Sequence, residues 1–167
     1  MYKNILIQNL DKYLTVNFVM EHPNEKIMLE LIKYTRIRTK NKIRVGAFII
    51  KGNKIVAKAI STVFISEDPT AHGEINVIKK LAKKNKSRNL KGHWIYTTMI
   101  PCPMCTSAIA WSELDGIVYG LDGRHLLQQL DLHPKEILKT SKKEIKLIGP
   151  FLDDECLTIN TYKKNKN

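Results

Sequence analysis

Between residues 45 and 148 the hydrophobic pattern switches period repeatedly, and this alternation restricts the available folds more than any other feature of the chain. Residues 45–50 and 55–60 are β-rich runs separated by Lys51-Gly52-Asn53-Lys54, where Gly and Asn can adopt the positive φ of a tight turn. They predict a pair of antiparallel strands. Asp68-Pro69-Thr70 then precedes Ile75, Ile78, Leu81 and Ala82 at helical spacing, which predicts a helix starting near His72 and ending in the solvated run Lys83-Lys84-Asn85-Lys86. Residues 94–98 read as a strand, 103–111 as a short helix, 116–120 as a strand, 125–139 as a helical region and 145–148 as a last strand. Upstream, Ile27, Met28, Leu31 and Ile32 mark one face of a helix with Asn24 as its cap. The β-α-β-α-β rhythm predicts an open α/β sheet with helices packed on it, its crossovers favouring parallel strands beside the antiparallel hairpin. Ligands in such folds sit at strand ends and helix N-termini.

A chain of 167 residues suits one domain, here residues 23–159, flanked by an N-terminal extension (1–22) and a basic Asn/Lys tail (160–167). No apolar run approaches the roughly 18 residues a membrane span requires. Near the N-terminus, Gln8, Asn9 and Asp11 interrupt the apolar residues before a secretory core can form, so a cytoplasmic location is expected. Three cysteines, two of them three apart, suit a reducing compartment and a metal or redox site. Lys and Arg exceed Asp and Glu by 28 to 16, for a net charge of +12. The excess is mostly Lys, with Arg only at Arg36, Arg38, Arg44, Arg88 and Arg124, so it fits compositional bias as well as a surface for nucleic acid.

The chemistry-bearing segments are His72-Gly73-Glu74 and Pro101-Cys102-Pro103-Met104-Cys105, both at predicted helix starts. In a first helical turn, Cys102 and Cys105 can turn both sulfurs to one side, and the positive end of the helix dipole favours their thiolates. With His72 they make three zinc ligands and leave the fourth tetrahedral position open to water, the arrangement of a catalytic zinc. Two alternatives remain: a dithiol redox pair, or a structural zinc needing a fourth protein ligand that Cys156 could in principle supply. Cys156 has no partner at ligand spacing and reads instead as a buried small hydrophobe or an inert surface thiol. Glu74, two residues from His72, suits a proton shuttle over the metal. His22, His93, His125 and His133 show no ligand spacing and read as surface or core residues.

His-x-Glu followed by Pro-Cys-x-x-Cys is the signature of the zinc deaminases. The wider words at residues 68–75 and 101–105 resemble the cytidine and deoxycytidylate deaminase superfamily, in the branch holding guanine deaminases and bacterial tRNA adenosine deaminases. The resemblance covers about residues 24–158, including the closing stretch 152–157. It implies a three-layer α-β-α, cytidine-deaminase-like fold with a five-stranded mixed sheet and helices on both faces. It also implies one Zn2+ per chain on His72, Cys102 and Cys105, Glu74 as the acid/base, hydrolytic release of ammonia from an amine-bearing nucleobase, and a homodimer with no membrane association.

Three positions depart from those relatives. Ser61, eleven residues before His72, stands where both nearby families place an Asn that hydrogen-bonds the base; Gly73 replaces a usual Ala, and Ile100 a common Glu. Cys-Pro-Met-Cys and the following residues 108–111 look more like guanine deaminases, so the expected substrate is a free purine or related small heterocycle. Ser61, Gly73 and Trp111 are the candidate substrate contacts, although Trp111 fits equally well as a residue packing its helix on the sheet. The +12 charge and basic tails suit a second reading, an adenosine-to-inosine deaminase acting on a tRNA anticodon loop. A third is a non-catalytic basic RNA-binding protein that keeps fold and zinc for stability, against which the presence of Glu74 weighs.

Overall fold

The computed structural model describes residues 20–39, 45–123, 130 and 132–160. Arg44, Arg124, His125 and most of both predicted tails lie outside the described residues.

Helix α1 (Glu25–Arg38) opens with the Asn24 side chain accepting the Ile27 N–H and buries Ile27, Met28, Leu31, Ile32 and Thr35 along one stripe. Glu25 in its first turn and Arg36 and Arg38 in its last complement the helix dipole. Strands β1 (Gly46–Lys51) and β2 (Lys54–Ile60) pair antiparallel with Lys51 opposite Lys54, leaving Gly52-Asn53 as a two-residue turn. Gly52 has φ +52°, the left-handed conformation that the turn demands. A four-residue helix α2 (Val63–Ser66) follows, then α3 (Gly73–Asn85), β3 (His93–Met99), α4 (Pro103–Trp111) and β4 (Gly116–Leu121). The chain closes with α5 (Pro134–Leu138), β5 (Lys146–Ile148) and α6 (Asp153–Leu157).

The five strands run in the order β2-β1-β3-β4-β5. β1 is antiparallel to both neighbours, whereas β3, β4 and β5 are parallel, with Trp94 opposite Gly116 and Gly116 opposite Lys146. The sheet is therefore mixed, as hairpin and crossovers together predict. Strand alternation separates two cores. Ala47, Ile49, Ile95 and Ile117 pack against Val77, Ile78 and Leu81 of α3 and Ile109 of α4, while Phe48, Ile50, Tyr96 and Val118 pack against Met28 and Leu31 of α1 and Cys156 of α6. Helices thus cover both faces, and the site is built on the α3/α4 side.

Two short helices, α2 and α6, escape sequence periodicity because one turn is too short to display it. The helical region expected over 125–139 includes α5, but residues 125–129 and 131 lie outside the described residues. No described helix is long and apolar enough to cross a membrane.

Residues of the expected extension also join the second core. Met20 is buried there, and the His22 ring stacks on Trp94 with centroids 3.9 Å apart. The Tyr96 hydroxyl accepts the Asn24 N–H at 2.9 Å and lies within hydrogen-bond distance of His22 Nδ1 at 2.7 Å. Burial, then the nearby Lys146, lowers the His22 pKa to about 4 from its ordinary 6.5. A depressed histidine contributes stability that is present above the unfolded value and lost as pH falls through the folded one. Between pH 6.5 and 4, thermal melts should show the parent losing on the order of 1 kcal/mol more than His22→Phe, after allowance for the ring's partial exposure. Parallel acid slopes in the two proteins would remove His22 as the titrating group.

Candidate metal centre

The loop before α3 is folded by its own side chains. Asp68 Oδ1 accepts from the Thr70 N–H at 2.8 Å and from its hydroxyl at 2.7 Å, and the His72 N–H reaches back to the Thr70 carbonyl at 2.7 Å. This places His72 at the N-cap in extended backbone, with no cap hydrogen bond to hold its ring. Cys102 occupies the same position on α4, followed by Pro103, whose missing N–H costs nothing in a first turn. Cys105 lies one turn further in and is fully buried.

The structure brings these residues together. His72 Nδ1 lies 3.7 Å from Cys102 Sγ and 3.5 Å from Cys105 Sγ, and all three donor atoms fall within 4.8 Å of one another. Among the described residues no other His, Cys, Asp or Glu joins this group. Cys156 is buried on the opposite face of the sheet, its thiol pushed up to about 12 chiefly by burial, so it is not the fourth ligand of a structural site. A redox pair alone would leave the imidazole beside both sulfurs unexplained.

Glu74 is 2% exposed. Its Oε1 accepts from the Thr97 hydroxyl at 2.9 Å, and its Oε2 lies 3.6 Å from Cys105 Sγ. Burial raises its pKa. The hydrogen bond from Cys105, followed by that with His72, lowers Cys102 to about 4, and the same sulfur-sulfur contact with burial raises Cys105. His72 is raised, first by its hydrogen bond to Cys102. The protein alone therefore keeps a thiolate on Cys102 and shares protons around it, since two thiolates and a carboxylate so close together would repel. A divalent cation takes the place of those protons, and one imidazole with two thiolates is a donor set suited to zinc.

The three candidate substrate contacts separate. Ser61 is half-buried at the end of β2, its N–H held by the Val45 carbonyl at 2.8 Å. Gly73 is a close-approach position: a Cβ there would lie 3.2 Å from the Val45 carbonyl oxygen and 3.4 Å from Ser61 N, so its role is to let α3 press on the backbone of the hairpin. The packing reading of Trp111 is corrected. It is 79% exposed at the last residue of α4, roughly 13 Å along the axis from Cys102, so it does not pack its helix on the sheet. Ile100 is buried with Met99 and Tyr119, a packing role.

Among the other histidines, His93 is buried with Nδ1 2.9 Å from the Leu90 carbonyl and His133 caps α5, which accords with core and surface roles. Two residues near the centre went unnoticed in the sequence. Thr97 supplies the hydroxyl on Glu74, and Asn76 Nδ2 reaches the Ile60 carbonyl (3.0 Å), Thr62 Oγ1 (3.1 Å) and the Ala71 carbonyl (3.1 Å), tying both flanks of Ser61 to the loop before His72. The available signal was a polar side chain where each element's periodicity faces inward: Thr97 alternates with Ile95, and Asn76 lies one turn after His72.

The cytidine and deoxycytidylate deaminase zinc-binding region matches residues 22–121. The chain is 35% identical over 141 residues to the tRNA-specific adenosine deaminase of Rickettsia bellii, covering 82% of this chain and 97% of that one. It is 38% identical over 77 residues to the guanine deaminase of Bacillus subtilis, 46% of this chain and 49% of that enzyme. A solved structure from work on A-to-I editing by tRNA:A34 deaminases superposes with TM-score 0.67 at 20% identity, covering 81% of this chain and 99% of the other, which supports the fold.

Purified protein is expected to hold about one zinc per chain, and Cys102→Ala and Cys105→Ala to lose most of it, because two ligands cannot retain an open site. Full zinc retention by both variants on metal analysis would exclude this ligand set.

Proposed function

As a member of the cytidine and deoxycytidylate deaminase family, this chain is a zinc-dependent hydrolase of C–N bonds, and we propose that its substrate is an amine-bearing purine, read first as an adenosine in an RNA loop. The observation that carries the mechanism is the position of Glu74: buried, outside the donor trio, and with one carboxylate oxygen 3.6 Å from Cys105 Sγ. His72, Cys102 and Cys105 would hold zinc, which supplies a Lewis acid that makes water a nucleophile at neutral pH. Glu74 takes one proton from the attacking water and gives it to a ring nitrogen, then takes the proton of the newly added hydroxyl and passes it to the departing amine, so both protons of the water are accounted for. Its burial keeps bulk water away and favours the proton-carrying form between those transfers. The product is the keto base with release of ammonia.

The RNA reading is supported by the extent of the match to the Rickettsia bellii enzyme and by the +12 charge, which suits phosphate contacts. Exposure of Trp111, far from the centre, removes one cue for a free base. A free purine remains the second reading, favoured by Pro103 within Cys-Pro-Met-Cys and by the guanine deaminase match.

Glu74→Gln keeps size and hydrogen bonding but not the carboxylate, so zinc content should persist while ammonia release falls about a hundredfold or more. Near-parental turnover would move the proton work to another group. In a panel of free bases, nucleosides and an anticodon stem-loop, kcat/KM should be highest for the stem-loop. It should fall about tenfold or more when salt rises from about 50 to 200 mM, the loss expected from releasing counterions at two or three phosphates. Preferred, salt-tolerant turnover of guanine would replace this reading with the second.

A further inference from the structure

Thr97 lies in the middle of β3 on the face turned toward α3, and its side chain is fully buried. Ala47 and Tyr119 flank it across the sheet and Ile95 stands two residues back on the same face, so valine, which has the same shape as threonine, can occupy the position. What valine lacks is the proton, and here that proton is given to Glu74 Oε1 at 2.9 Å. The bond makes the two carboxylate oxygens unequal. Oε1 is turned to the sheet and occupied as an acceptor, while Oε2 is turned to the sulfur corner, 3.6 Å from Cys105 Sγ. The last torsion of a glutamate has only a broad, two-fold preference, so the orientation of this carboxylate is set by its hydrogen bonds, one from its own backbone N–H and one from the Thr97 side chain at Oε1.

We propose that Thr97 is a positioning residue for deamination: its hydroxyl pins Oε1 of Glu74 to β3, so that Oε2 alone exchanges protons with water and substrate. This deepens the reading of Glu74 as proton carrier and rests on it. An unpinned carboxylate spends part of its time with neither oxygen aimed at the reacting atoms, and misplacement on the scale of 1 Å costs up to about a hundredfold in rate. Binding of the base is a separate matter, since Thr97 faces Glu74 from the sheet side. The expected signature is a loss confined to kcat.

The test compares Thr97→Val, which removes only the donor, with Thr97→Ser, which restores it, and with Thr97→Ala as a second donor-free variant in case valine perturbs folding. Zinc content, kcat and KM would be measured on each, with crystal structures of the zinc-loaded proteins. Valine and alanine should retain zinc and keep KM within about twofold while kcat falls about ten- to hundredfold, with the Glu74 carboxylate rotated away from its parental position. Serine should return kcat to within about threefold and restore the bond. Parental kcat in the donor-free variants, failure of serine to rescue, or an unmoved Glu74 carboxylate would each overturn the proposal. Failure of the functional reading looks different: the parent and Glu74→Gln would then be equally inactive on the whole panel, while the crystal structures would still decide whether the hydroxyl fixes the carboxylate.

Discussion

The first turns of α3 and α4 meet beyond the end of β3, placing His72 Nδ1 within 3.7 Å of two sulfurs, and much of the surrounding structure serves to keep those helix ends together. Each helix N-terminus carries roughly half a positive charge, so two of them converging on one point would repel each other and any bare cation. Two thiolates at the N-cap and first turn of α4 answer that charge, whereas an all-imidazole set would add none of its own. Even without a cation, hydrogen bonds from Cys105, first from its side chain, and then that with His72 hold Cys102 down to about 4 against the opposing effect of burial. Gly73 lets α3 approach the hairpin, and Pro103 starts α4 after the three residues that follow β3.

The two faces of the sheet divide the work. On the α1/α6 side, Phe48, Tyr96, Val118 and Cys156 form a core with no member of the donor trio, and Tyr96, its hydroxyl raised to about 12 mainly by burial, anchors the chain entering α1. On the α3/α4 side, the core of Ile95, Val77 and Ile109 runs up to Thr97 and Glu74, where polar atoms take over. Period-two alternation along β3 produces this split: Tyr96 belongs to one layer, and Ile95 and Thr97 to the other. The core behind the sheet can therefore be tight and apolar without reaching the polar atoms in front of it.

What was legible in the sequence followed from interactions that are local or periodic. The hairpin declared itself through Gly52-Asn53, α1 through its apolar stripe and Asn24 cap, and α4 through Pro103 after an apolar strand. The ligand trio was legible because spacing and helix starts encode it: Cys102 and Cys105 share a turn, and His72 opens the neighbouring helix. α2 and α6 were not, since four or five residues carry no period; the acidic run Asp153-Asp154-Glu155 forms the first turn of α6, where such residues are favoured. Trp111 misled because a large aromatic in an apolar helix usually packs inward, yet the buried side of α4 is taken by Cys105, Thr106 and Ile109. Asn76 and Thr97 stayed hidden because their partners lie 14 and 23 residues away, at Thr62 and Glu74.

Recognition of the base follows a stricter accounting than the metal. An amide at position 61 would offer a donor and an acceptor to the edge of a base, whereas the hydroxyl of Ser61 offers one short arm that points wherever its neighbours allow. Asn76 holds the Ile60 carbonyl on one side of Ser61 and the Thr62 hydroxyl on the other, which restrains the strand end from moving to lengthen the arm's reach. Sites that hydrogen-bond a substrate group discriminate by up to about 10⁴–10⁵, and those that only fit its shape by about 10². If Ser61 meets a purine as proposed, discrimination between purines would fall toward the lower figure unless contacts beyond the base made up the difference. A chain with a net charge of +12 has the means to do so through phosphates, which a free base does not carry. On the proposed RNA reading, Ser61 and the positive charge would become one argument, in which a substrate held at its base by a shorter polar arm is retained by the backbone that bears it.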